Sequence, residues 1–261
     1  MIVYEYGKEN KKTMLMFQCA AEPSWTMFPV AEAMGRDYHV FFAAADGNNP
    51  EEDSTFISIE KYAEDAVRYI KERGVSVLDA VYGISMGGSA VMRMLAVQAM
   101  PVKKAIVDAG ITPYPYPYLI RKLILLKDFL MVRLGTKHIG LAKMVMPMKR
   151  WTPEGVDPEE HYKKIFDFLA SKRFSNKTIR NIFWSANNWV CPEPVPIIET
   201  EIEYWYGEEE RKARKGDIAW TLKHFPQTKL VKMNGFDHAE LVLVHPKEFY
   251  EEATRFLKNE N

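Results

Sequence analysis

The chain has 261 residues, of which 47% are apolar and 27% charged. That is ordinary globular material for one large domain or one domain with an insertion. Its 35 basic and 35 acidic residues cancel, which speaks against a nucleic-acid partner, because phosphate neutralisation needs a basic excess. Two cysteines, Cys19 and Cys191, are too few for a disulfide framework and have no CxxC or HExxH company, so neither a metal nor a cofactor site is expected.

The opening MIVYEYGKENKKTML is charged and lacks the long apolar run of a signal peptide. Elsewhere charge interrupts every apolar stretch well short of the ~18–20 residues of a membrane span. A soluble, cytoplasmic protein without stable membrane insertion is expected.

In chain order, 13–17 (TMLMF) and 38–45 (YHVFFAAA) are short apolar runs that predict buried strands. Helical spacing lies between them over 25–34. The stretch 56–73 gathers Ile59, Tyr62, Ala63, Ala66, Val67 and Ile70 mostly on one face before Gly74, an amphipathic helix with a glycine stop. A strand at 79–82, a buried helix at 86–100 and a strand at 104–107 follow. Further strands are predicted at 201–206 and 228–233, and a closing helix at 247–257 begins after Pro246.

Strands alternating with helices predict an α/β fold, a mostly parallel central sheet with helices on both faces. The alternation pauses between Gly110 and Thr200, where PYPYPY leads into helical segments near 118–134, 159–171 and 176–187 and then CPEPVP. We read 1–110 and 198–261 as the core, and 111–197 as a helical cap inserted at the sheet's carboxyl edge.

Within VYGISMGGSA, Ser85 has glycines two residues before and after it, a strand signal before and a helix signal behind. A nucleophilic serine on a strained strand-to-helix turn needs that arrangement: small neighbours for close backbone approach, and a helix N-terminus for developing negative charge. A Gly-rich turn that merely packs helix on strand would not need the serine.

A serine also needs a base. Of the six histidines, His39 falls in a strand, His138, His161 and His224 read as surface, and His245 starts the closing helix. His238 lies in NGFDH directly after the last strand, at the same sheet edge as Ser85. For the carboxylate that orients the base, the turn after EIEYWYG offers Glu208, Glu209 and Glu210. That run also reads as a solvated helix start with Glu208–Lys212 and Glu210–Arg214 pairs. Asp108 is a rival at another strand end, and Asp217 a weaker one.

Together GISMGG, YGEEE and the His238 loop resemble the α/β-hydrolase superfamily, over nearly the whole chain and in its order of serine, acid and histidine. Within it, DGNNPEEDSTF, YGISMGGS and FDHAELVLVHPKEF are similar to a group of small bacterial serine esterases with a helical cap. The resemblance implies an acid three residues after the glycine ending the penultimate strand, which selects Glu210. It also implies a cap between the sixth strand and the acid, matched by 111–197. The loop after the first apolar strand, often His-Gly in the family, reads Gln18-Cys19-Ala20-Ala21 here. Because a backbone N–H needs no particular side chain, Cys19 or Ala20 can still supply an oxyanion donor beside Met86.

The implied activity is carboxylester hydrolysis on a small-molecule ester, with a peptidase or amidase on the same residues, or a non-catalytic ligand-binding protein, as alternatives. Trp25, Tyr114 and Trp184, with Tyr116 and Trp189, are expected under the cap as substrate contacts or as packing between cap and core. The apolar 118–134 helix reads as a lid, a contact in a possible homodimer, or the cap's own core; it looks too apolar all round for the clear amphipathic stripe of a membrane-surface helix.

Overall fold

The computed structural model describes residues 1–138, 140, 143 and 147–259. The strands among them are β1 (Ile2–Tyr6), β2 (Thr13–Phe17), β3 (His39–Ala44), β4 (Leu78–Ile84), β5 (Val102–Asp108), β6 (Glu201–Gly207) and β7 (Lys229–Met233). A 3-10 turn at Ser24–Met27 runs into α1 (Phe28–Met34), and α2 (Ile59–Lys71) and α3 (Met86–Ala96) follow. Between β5 and β6 stand α4 (Tyr118–Lys137), α5 (Pro158–Ala170) and α6 (Asn176–Ala186); α7 (Lys215–His224), α8 (Glu240–Val244) and α9 (Pro246–Leu257) complete the chain.

Local chemistry sets the boundaries. Side-chain oxygens of Ser58, Asp157 and Ser175 accept hydrogen bonds from the first-turn N–H groups of α2, α5 and α6, replacing intrahelical partners that a helix start lacks. Proline opens α9, where its missing N–H costs nothing. Along each strand successive residues face two different cores. Leu15 and Phe17 join the core under α2 and α3, while Met14 and Met16 join the one under α1 and α9. Phe17, Phe41 and Phe42 are fully buried, each contributing roughly 2 kcal/mol of apolar transfer.

The seven strands run in the order β1-β3-β2-β4-β5-β6-β7, with only β1 antiparallel to its neighbour. Parallel pairing puts the carboxyl ends of β4 to β7 along one edge. Ile84 is registered with Asp108, Asp108 with Trp205, and Gly207 with Met233. The turns carrying Ser85, Asp108, Glu210 and His238 therefore leave the same edge.

The helical stretch departs from β5 and returns into β6, one strand earlier in this chain's count than the resemblance implies. It is partly woven into the main core: Phe168, Leu169, Phe174, Ile179, Ile182 and Trp189 pack with residues of α2 and α3. By contrast, α4 has no buried residue along its length.

Two local features differ from the sequence expectation, and one open alternative is decided. β1 exists, as a half-buried edge strand. Residues 208–214 form turns, and the helix begins only at Lys215. His161 is buried against Trp25 instead of lying on the surface.

Candidate active site

Ser85 joins β4 to α3 with φ 53° and ψ −111°, a conformation whose strain is of order 1–3 kcal/mol for a residue with a side chain. Its N–H donates to the Asp108 carbonyl at 2.8 Å, so the neighbouring strand's end pins the turn. The flanking glycines are required by contact. A Cβ on Gly83 would stand 2.3 Å from the Gly87 carbonyl oxygen, and one on Gly87 would stand 2.5 Å from the Phe17 oxygen. Gly87 thereby lets the first turn of α3 rest on the backbone entering the Gln18 loop. Met86 is the first residue of α3, so its N–H has no intrahelical partner and lies at the positive end of the helix.

The loop after β2 is held by Gln18, which is fully buried. Its Oε1 accepts from the Ala45 N–H at 2.8 Å and its Nε2 donates to the Glu22 carbonyl at 2.9 Å, while its own N–H donates to the Tyr62 hydroxyl at 3.1 Å. Cys19 is buried, its carbonyl accepts from Asn48 Nδ2 at 3.3 Å, and burial pushes its thiol well above the usual value. A protonated, enclosed thiol is a packing group, and what this loop offers an adjacent ligand is backbone.

His238 Nδ1 lies 2.7 Å from Glu210 Oε1. Burial alone would raise the Glu210 carboxyl, but the hydrogen bond and charge of His238, the Gly207 N–H and Arg214 outweigh it and hold the group below its ordinary value. A carboxylate only accepts, so Nδ1 carries the proton, and in the neutral imidazole Nε2 is the nitrogen left to accept. Glu210 is itself fixed: its Oε2 accepts from the Gly207 N–H at 2.9 Å, and Arg214 Nε stands 3.6 Å from Oε1. The three-residue offset from Gly207 is thus a closed turn in which side chain and backbone meet. Gly207 also admits the histidine loop, since a Cβ there would lie 2.9 Å from the Phe236 oxygen.

Two residues that the sequence reading passed over hold the His238 loop. Glu240, buried, accepts from the Asp237 N–H at 2.7 Å and takes a bidentate ion pair from Arg150 at 2.8 and 2.7 Å. Glu240 stands inside the FDHAE run, but its partner lies ninety residues away, so no local pattern links them.

The other acidic candidates have different partners. Glu209 is exposed. Glu208 accepts from the Gly235 N–H and pairs with Lys232. Asp217 Oδ1 accepts from both the N–H and hydroxyl of Thr112 at 2.8 Å. Asp108 accepts from the Tyr82 hydroxyl at 2.8 Å; burial first, then the nearby Glu210 charge, pushes it up to about 6 despite that bond. A further carboxyl, Glu22, was missed in the sequence. It lies half-buried on the Gln18 loop with no side-chain partner among the described residues, and burial pushes it up to about 8.

Trp25 follows Glu22 and packs edge-on against His161 of α5 at 5.5 Å. Tyr114 donates its N–H to the Asn187 carbonyl and stacks edgewise on Tyr116. Trp184 packs against Tyr118 and beneath Lys122, joining α6 to α4. Trp189 is buried, with its Nε1 donating to the Ile111 carbonyl.

No protein-family model and no curated protein matches this sequence. Solved structures do match in three dimensions. An α/β-hydrolase family protein from Desulfitobacterium hafniense superposes with a TM-score of 0.73 at 14% identity, over 98% of this chain and 100% of that one. An esterase from a marine microorganism gives 0.67 at 18% identity, over 98% of each chain. A 1H-3-hydroxy-4-oxoquinoline 2,4-dioxygenase gives 0.67 at 16%, over 98% and 95%. The chain has the α/β-hydrolase fold. The dioxygenase shares it, so the fold leaves the reaction open and the site must decide it.

Proposed function

We propose that the protein is a serine hydrolase that cleaves carboxylic esters through an acyl-enzyme on Ser85. The observation that carries this reading is the 2.7 Å contact between His238 Nδ1 and Glu210 Oε1, at the sheet edge from which the Ser85 turn also leaves. It turns Nδ1 to the carboxylate and leaves Nε2 as the nitrogen that would act as base, the role proton abstraction from a serine requires.

In this reading Ser85 Oγ attacks the ester carbonyl as His238 Nε2 takes its proton. The backbone N–H groups of Met86 and Cys19 receive the oxyanion, where one such donor contributes roughly 3 kcal/mol in comparable sites. His238 then returns the proton to the leaving alcohol. Water, deprotonated by the same nitrogen, hydrolyses the acyl-enzyme. Glu210 stays ionised throughout and stabilises the imidazolium. Trp25, Tyr114 and Trp184 are proposed substrate contacts, with 111–197 acting as the cap.

Turnover of a p-nitrophenyl ester series, set against an aminoacyl-anilide series, tests the assignment. The proposal requires ester turnover that Ser85→Ala abolishes. Turnover confined to the anilides would make the protein an amidase.

A further inference from the structure

The helix α4 is apolar on both faces: Phe129 and Val132 pack inward against the main core. Its inward positions include Arg121, Asp128 and Arg133, all half-buried; Arg121 bonds Asn188 Oδ1 at 2.6 Å, and Arg133 bonds Asn176 Oδ1 and the carbonyls of Leu169 and Phe174. Its outward positions carry leucines. Leu119, Leu123, Leu126, Leu130 and Leu134 follow one another at spacings of four and three, so they form one stripe along the helix. These five are between 46% and 71% exposed, and Met131 beside them is 61% exposed. Such a row adds up to several hundred Å², at or above the roughly 300–600 Å² of the largest apolar patch on a typical monomer.

The charges around the stripe select its occupant. Lys122, Lys127 and Lys137 are exposed on this helix, and the only acid in it, Asp128, already pairs with Lys127 at 3.1 Å. Over residues 118–150 the sequence has eight basic residues and one acidic residue; Arg150 and Lys143 are answered by Glu240 and Glu159 and Arg121 and Arg133 turn inward, which leaves the exposed lysines of the helix as the charge beside the stripe. A second copy laid stripe to stripe would set these lysines against each other with no free carboxylate on the helix to answer them. An anionic lipid surface supplies both an apolar layer for the leucines and negative headgroups for the lysines. No helix among the described residues is long and apolar enough to cross a membrane, so the helix would lie in the interface.

We propose that α4 docks the protein on anionic phospholipid bilayers, with the leucine stripe at the headgroup boundary and Lys122, Lys127 and Lys137 on the phosphates. The docking is independent of the reaction proposed for Ser85, and its test needs no turnover.

The test is co-sedimentation of the full chain with phosphatidylcholine vesicles, with and without phosphatidylglycerol, at low and moderate salt. Binding should require phosphatidylglycerol and weaken with salt. The triple variant Lys122→Glu, Lys127→Glu, Lys137→Glu should lower the partition coefficient at least about tenfold. The double variant Leu123→Ser, Leu130→Ser should lower it comparably with its melting temperature unchanged, because both side chains are exposed and face outward, and circular dichroism should show both variants folded. Absence of binding to the anionic vesicles, or equal binding by the charge-reversed variant, would overturn the proposal. So would a dimer in sedimentation equilibrium that the leucine variant dissociates, since the stripe would then be occupied by a second copy.

Discussion

Glu210 Oε1 and His238 Nδ1 meet at 2.7 Å across the ends of two neighbouring parallel strands, β6 and β7. Each belongs to a turn of its own, and the Glu208 N–H bond to the Phe236 carbonyl ties the two turns together. Of the three consecutive glutamates, only the third is buried.

That contact separates the acids by mutation. Glu210→Gln should lower kcat by roughly 10²- to 10⁴-fold, since an amide favours the wrong imidazole tautomer. Glu209→Gln and Asp108→Asn should each change it less than about tenfold, the latter because an asparagine oxygen can still accept from Tyr82. Steady-state turnover of a soluble ester by the three variants decides it. Glu210 also bears on acid stability. Its folded-state value is depressed below the ordinary 4.5, so its contribution is present above that pH and is lost as pH falls through the folded value. Melting curves of Glu210→Gln should show a shallower acid limb than the parent.

Ser85 holds φ 53°, and relief of that strain gives a second prediction. Ser85→Gly should raise stability by roughly 1 kcal/mol relative to Ser85→Ala, because glycine tolerates positive φ. Denaturant midpoints of the two inactive variants make the comparison without any effect of chemistry. Equal midpoints would mean that the turn is unstrained.

Gly87 faces backbone on the Gln18 loop, with a Cβ placed 2.5 Å from the Phe17 oxygen and 2.7 Å from the Gln18 oxygen. Backbone cannot swing aside as a side chain can. Gly87→Ala should therefore cost roughly 2–3 kcal/mol and separate the Met86 and Cys19 N–H groups, lowering kcat more than it raises KM. Thermal melts and kinetics of the soluble variant measure both effects.

Glu22 gives a pH-dependent test. Its folded-state value, about 8, lies above the ordinary 4.5. Between those values the unfolded chain gives up a proton that the folded chain retains, so stability falls as pH rises through that window. Glu22→Gln should stabilise the fold by roughly 2 kcal/mol at pH 8, allowing for the carboxyl's contact with solvent, and by little near pH 4. Denaturant titrations at the two pH values measure the difference.

The placement of Ser85 and His238 at the sheet's carboxyl edge was legible because each follows an apolar strand in a short turn, a local pattern in the order of residues. β2 and β3 were legible for the same reason: parallel strands buried on both faces are continuous apolar runs. β1 was not, since IVYEY is a half-buried edge whose glutamate and tyrosines face other elements. The run after Gly207 was ambiguous because EEERKARK carries good helical ion-pair spacing. Tertiary contact settled it, as Glu210 turns inward to His238 and the Gly207 N–H. The role of Arg150 in fixing the histidine loop joins residues far apart in the chain, and nothing in either neighbourhood announces it. The outward leucines of α4 were visible as apolar, but only the fold tells which way they face.

The central claim is that Ser85 is the nucleophile activated by His238. Reaction of the folded chain with a fluorophosphonate, followed by peptide mapping, tests it most directly. The account predicts a single phosphonylated residue, Ser85, with labelling lost in His238→Ala and strongly slowed in Glu210→Gln. Folded protein that stays unlabelled, or label on another residue with Ser85 free, would contradict it.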